Sequence, residues 1–137
     1  MSSKRTLLIW LLRILGITML LAVPFVFIPT AWLAAIHEGL TLGPFPSSAI
    51  TEYLARSLSA FYAAAGALAL FLSTDVVRYR PVVLFFAGGT VVFALVVLWI
   101  DLKIGMPTSW TWGEGPLVLP FGLVMWWLAK GMSNDAD

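Results

Sequence analysis

The chain has 137 residues, of which 61% are hydrophobic and 11% charged, against about 45–50% apolar and about 25% charged in soluble domains; its mean hydropathy is +0.96. That balance excludes a soluble globular fold, and a net charge of +1 without any Lys/Arg run excludes nucleic acid as a partner. The absence of cysteine removes thiol–disulfide relays, iron–sulfur ligation and thiolate zinc sites, and with His37 the only histidine a bis-histidine haem would have to be shared between two chains.

Four apolar stretches, Leu7–Phe27, Leu54–Leu72, Val82–Ile100 and Leu117–Leu128, fill the sequence. A hydrocarbon core about 30 Å thick and a rise of about 1.5 Å per residue set a membrane span at roughly 20 apolar residues. The prediction is therefore an all-α polytopic membrane protein, a four-transmembrane-helix bundle forming one integral membrane domain over residues 1–137. The first helix is placed at about 6–30, followed by an interfacial segment at 31–38. The second lies at about 48–73, the third at about 81–101 and the fourth at about 116–130.

Lys4 and Arg5 before the first apolar run resemble the start of a secretion signal. The run is longer than the usual 7–15 residues of a signal core and no small-x-small site follows it, so it is read as a retained helix. Pro24 and Pro29 each remove a backbone donor, which predicts a bend near Pro24 and a surface segment over Trp32–Glu38. A loop through Gly39, Gly43, Pro44 and Pro46 leads to Ser47 or Ser48 as the cap of the second helix. The third begins at Pro81, a favoured first-turn position, after the turn Thr74–Arg80. The fourth is short: either the bilayer adapts to it or Thr108–Gly115 dips inward as a partly re-entrant segment, with Pro120 distorting the first turns.

With the amino terminus in the cytoplasm, Lys4, Arg5, Arg78, Arg80 and Lys130 lie inside and only Arg56 and Lys103 outside, so both termini are expected to be cytoplasmic. Trp10 and Tyr79 then mark the inner rim, and Trp32, Tyr53, Trp99, Trp110 and Trp112 the outer one. Arg13, two turns into the first helix, either snorkels to the inner headgroups or meets Asp75.

The polar and small residues form lanes. On the second helix Glu52, Arg56, Ser59, Ala63 and Gly66 recur at spacings of four and three, and on the third Asp101, Ala94, Thr90 and Ala87 continue the same rhythm. Small residues allow close backbone approach in lipid, so Ser59, Ala63 and Gly66 are expected to pack on Ala87, Thr90 and Ala94. Arg56 and Asp101 fall at similar heights above the cytoplasmic turn. The expected outer-rim cluster is thus an Arg56–Asp101 pair with Glu52 one turn above Arg56 and Glu114 nearby. Unpaired interfacial charges, or a ligand or ion site among these carboxylates, remain the other two readings of the cluster.

The run Glu52-Tyr53-Leu54-Ala55-Arg56-Ser57-Leu58-Ser59-Ala60-Phe61-Tyr62, with Tyr79-Arg80-Pro81, Asp101 and Glu114-Gly115-Pro116, resembles a group of uncharacterised small bacterial four-span inner-membrane proteins. The likeness covers most of the chain, and its general shape is similar to DoxX-like four-helix proteins. What the resemblance implies is a multi-pass protein of a bacterial inner membrane, without catalytic residues to carry over.

No nucleophile–base pair can be built around His37, and no phosphate loop or metal motif is present. The expected function is a non-enzymatic small membrane protein, an accessory or scaffold subunit of a larger complex or a homo-oligomer, with membrane lipids as its surroundings and no cofactor. The alternatives are an oligomeric transporter or channel for small cations, and a lipid- or quinone-binding membrane subunit.

Overall fold

The computed structural model describes residues 3–46 and 48–132. These are all-α, without a strand among the described residues: α1 (Ser3–Leu20), α2 (Val23–Phe27), α3 (Thr30–Gly39), α4 (Ala49–Leu72), α5 (Arg80–Ile104), α6 (Thr108–Gly113) and α7 (Gly115–Gly131). Three helical segments, Ser3–Phe27, Ala49–Leu72 and Arg80–Ile104, are long and apolar enough to cross a membrane. α7 has 17 residues, or about 25 Å of helix, and falls short of the usual span. Large apolar side chains face outward along these helices, with Phe85 83% and Phe61 75% exposed; a water-soluble monomer does not display apolar surface on that scale.

The prolines break the first span one turn earlier than Pro24 itself. Leu21 N–H is shared between the carbonyls of Ile17 and Thr18, both at 3.2 Å, and Ala22 N–H turns to Met19 at 3.1 Å. Pro24 offers no N–H to Leu20, and its ring presses on that carbonyl, so the ladder loosens ahead of the ring. Pro29 then ends α2. Ile28 is extended, with φ −61° and ψ 153°, because a residue preceding proline is pushed out of the helical region. The chain restarts as α3, Trp32 and Leu33 donating to the Pro29 carbonyl at 2.9 and 3.2 Å.

Beyond α3 the loop turns through two left-handed residues, Thr41 (φ 60°) and Gly43 (φ 84°). His37 Nδ1 donates to the Gly43 carbonyl at 2.9 Å and the ring meets the edge of Phe45 at 5.4 Å between centroids. Ser48 caps α4, its Oγ accepting Thr51 N–H at 3.2 Å; Ser47 lies outside the described residues. Asp75 Oδ1 accepts Arg78 N–H at 3.1 Å, so it holds the turn before α5, while Arg13 lies over the Trp10 ring at 5.7 Å. Of the two readings of Arg13, the contact with Asp75 is therefore replaced by an aromatic stack. Pro81 sits in the first turn of α5, and Gly105 closes that helix in the left-handed conformation (φ 73°), three residues beyond the end expected from the sequence.

The chain divides into two compact units, one of Leu15–Ala69 and one of Met1–Ile14 with Leu70–Asp137. In the Leu15–Ala69 unit, α4 runs against α1: a Cβ on Gly66 would lie 2.7 Å from the Gly16 carbonyl and 3.0 Å from Met19 Cβ. In the other unit α5 and α7 form an antiparallel pair. A Cβ on Gly115 would lie 2.7 Å from the Ala94 carbonyl, and one on Gly122 would lie 2.8 Å from Val91 Cγ2 and 3.2 Å from the Ala87 carbonyl. Gly115, Gly122 and the buried Ala129 recur every seven residues on α7, which keeps one seam facing α5 along both helices.

The lanes read from the sequence therefore have other partners than expected. Gly66 lies against α1, and Ala87 and Ala94 against α7, because the glycines of α1 and α7 let backbone meet backbone where larger side chains would hold the helices apart. Ser59 Oγ turns back to the Ala55 carbonyl at 2.8 Å and Thr90 Oγ1 to the Phe86 carbonyl at 2.9 Å, so neither hydroxyl bonds across helices; Ala63 is half-buried. Substituting Gly115→Ala or Gly122→Ala is expected to destabilise the protein by about 1–3 kcal/mol, as overpacking does. Gly113→Ala, where a Cβ meets open space, is expected to be neutral or to gain up to about 1 kcal/mol from helix propensity; thermal unfolding in detergent checks the contrast.

Candidate functional site

The densest polar arrangement in the Leu15–Ala69 unit gathers where Pro29 breaks the first span. An α-helical carbonyl accepts from the N–H four residues on. The extended Ile28 turns its carbonyl away from Trp32, whose N–H goes instead to Pro29. Carbonyls left in this way need other donors, since a buried backbone group left unmet costs about 1–3 kcal/mol. Arg56 of α4 supplies them: Nη1 donates to the carbonyls of Val26 at 2.7 Å and Ile28 at 3.0 Å.

The rest of the guanidinium faces Glu52, one turn earlier on α4. Nε and Nη2 both reach Glu52 Oε1, at 3.0 and 2.7 Å, and Nη2 lies 3.3 Å from Thr30 Oγ1. Thr30 in turn donates to the same Glu52 oxygen at 2.8 Å. Arginine suits this position because its planar fork presents several fixed donors at once. Two face carbonyls, the others a carboxylate and a hydroxyl, so one side chain ties α4, the end of α2 and the start of α3 together.

This set of partners differs from the one expected for Arg56, which joined it to Asp101. The guanidinium spends its hydrogen bonds on α2, α3 and Glu52. Asp101 belongs to the other unit, where it is 4% exposed and its Oδ2 is buried without a hydrogen-bond partner. Its backbone carbonyl is well used, accepting Gly105 and Met106 N–H, both at 3.0 Å. Glu114 stands at the corner between α6 and α7, with φ −108° and ψ −90°, and its Oε2 accepts Trp110 Nε1–H at 2.9 Å.

A second arginine repeats the capping device and was not singled out by the sequence. Arg80, at the start of α5, donates through Nε to the Ala129 carbonyl at 2.8 Å and through Nη2 to Lys130 at 3.3 Å. These are terminal carbonyls of α7, which have no intrahelical donor. Its signal was its place beside Pro81 at the start of a predicted helix, on the side where the fourth helix ends at Lys130.

Chemically, both arginine sites hold backbone in place. His37 is engaged by a loop carbonyl, and among the described residues no three His, Asp or Glu side chains gather where a metal ion could be held. Compared with protein-family models, curated proteins and solved structures, the chain matches none. The class of protein rests on its helices: three long, apolar segments suited to a membrane, with arginines closing the end of the first and the end of α7.

Two substitutions separate the roles of the charges. Arg56→Ala is expected to cost about 2–4 kcal/mol, since charged hydrogen bonds contribute about 1.5–3 kcal/mol each and orphaned carbonyls add a penalty; Arg56→Lys, with a point charge in place of the fork, should recover only part. Asp101→Leu is expected to hold or raise stability, by up to about 3 kcal/mol, because it removes a buried acceptor without a donor. A lower melting temperature for Asp101→Leu would show that the carboxylate has a partner.

Proposed function

We propose that this is a non-enzymatic small integral membrane protein of a bacterial inner membrane, with four spans and both termini cytoplasmic. It acts as an accessory or scaffold subunit, by self-association or by docking on a larger membrane complex. The observation that carries this reading is a side of α5 left open within its own unit. Gly88 and Gly89 have no atom within 4 Å of an added Cβ, and they floor a shallow apolar hollow of about 610 Å³ between Leu84, Phe85, Val92 and Val96. Small residues in a lipid-facing helix let another helix approach closely, and the pairing of α5 with α7 uses a different side.

Support for the fourth span comes from α7, which follows α5 from Leu98 back to Arg80 through Gly115, Gly122 and Ala129. Hydrophobic mismatch of a few ångströms is absorbed by local thinning and by snorkelling of Lys130. Five basic residues on the connections assigned to the cytoplasm, against two on the other side, support the orientation.

Light scattering of the protein in mild detergent tests the function. A particle of more than one chain is expected, and a Gly88→Leu/Gly89→Leu double variant is expected to dissociate it while keeping its helical content. An oligomer that passes cations in vesicles in a manner abolished by Glu52→Gln would favour the channel instead, and a chain that stays monomeric in detergent and in bilayers and brings no partner through purification would overturn the scaffold reading.

A further inference from the structure

In the unit of Met1–Ile14 and Leu70–Asp137, the basic side chains converge where α7 ends. Lys4 Nζ lies 3.6 Å from the position of a Cβ on Gly131, which puts the start of α1 beside the last turn of α7. Arg80 of α5 donates to the last carbonyls of the same helix. Lys130 lies over the Trp126 ring at 5.0 Å, and Arg78 over Tyr79 at 5.6 Å.

Not all of these charges are answered. Arg80 is taken by carbonyls, and Asp75, the carboxylate of the adjoining turn, accepts the backbone N–H of Arg78. Arg5 is different: its Nε is buried and has no hydrogen-bond partner, and neither Lys4 nor Arg5 forms an ion pair among the described residues. The carbonyl end of α7 presents about half a negative charge, too little to balance two full cations. Next to them, Leu7 and Trp10 are half exposed apolar groups on α1. A cationic pair above apolar surface matches a ligand with an anionic oxygen head and hydrocarbon tails.

We infer that Lys4 and Arg5, at the junction of α1 and α7, hold the phosphate of an anionic phospholipid. The site rests on the membrane placement proposed above. Basic pockets between helices at the cytoplasmic face take anionic headgroups for the same physical reason, the negative surface potential of that leaflet adding to the local charge. Phosphate oxygens accept from the ammonium of Lys4 and the guanidinium of Arg5, and the acyl chains run down past Leu7 and Trp10. A net-neutral phosphatidylcholine would bring its own cation toward the cluster and bind less well. The acidic residues Asp135 and Asp137, which lie outside the described residues, are the competing source of negative charge.

Native mass spectrometry of the detergent-solubilised protein, titrated with phosphatidylglycerol and with phosphatidylcholine, tests the site. Phosphatidylglycerol is expected to bind on the order of tenfold more tightly, from two basic residues near the headgroup. Lys4→Gln/Arg5→Gln is expected to abolish the difference, Arg5→Lys to retain most of it, and Lys103→Gln to leave it unchanged. Equal affinities for the two lipids, or a preference that survives in the double variant, would overturn the inference. So would a preference that appears only after the chain is shortened to end at Met132, which would assign the cations to the acidic tail. Equally tight binding of inorganic phosphate alone would reduce the site to an anion site and overturn the lipid. A chain that stays monodisperse without detergent would instead remove the membrane placement itself.

Discussion

A backbone carbonyl that loses its helical donor must find another, and this constraint shapes both units of the protein. Interrupting a helix is expensive unless the freed carbonyls are met by some other donor. Pro29 makes such an interruption, and Arg56 answers it by donating to Val26 and Ile28. The last turn of α7 leaves terminal carbonyls of its own, and Arg80 answers those. Lysine could carry the charge in either place, but a guanidinium reaches two carbonyls or a carbonyl and a carboxylate at once. The arginines of this chain are therefore read best through geometry and only second through charge.

The same constraint explains why glycine and arginine occur together. An arginine can cap a neighbouring helix only if the two backbones run close, and closeness is set by Gly66 beside Gly16 in one unit and by Gly115 and Gly122 beside α5 in the other. In each case the helices are antiparallel, so the residue ten positions from Gly66 reaches the end of the first span, and the one seven positions from Gly122 reaches the start of α5. Glycine supplies proximity, and the arginine uses it at the place where the hydrogen-bond ladder stops.

Much of this was legible in the sequence because hydropathy and proline act locally. The apolar stretches located the long helices, Pro24 the bend in the first, the pair Ser47 and Ser48 the cap of α4, and Pro81 the start of α5. Each needs only a few neighbouring residues to take effect. The partners of the lanes were not legible, since Ser59, Ala63 and Gly66 advertise a close approach without naming what approaches. Depth arithmetic set Arg56 level with Asp101 and treated opposite charge as the stronger attraction. It passed over the carbonyls of Val26 and Ile28, which carry no letter of their own in a sequence and become acceptors only once Pro29 has broken the helix.

Asp101 shows the cost of that omission from the other side. A buried carboxylate without a donor is a liability of about 1–3 kcal/mol or more, and it stands at the end of α5 whose backbone carbonyl already serves the Gly105 turn. The structure leaves Oδ2 unmet, while in the other unit Arg56 meets two carbonyls and the Glu52 carboxylate at once. Backbone capping and charge pairing are thus met together, by one guanidinium, at the end of the first span. A proline substituted within α4 or α5 would then be tolerated only where a guanidinium can reach the carbonyls it frees.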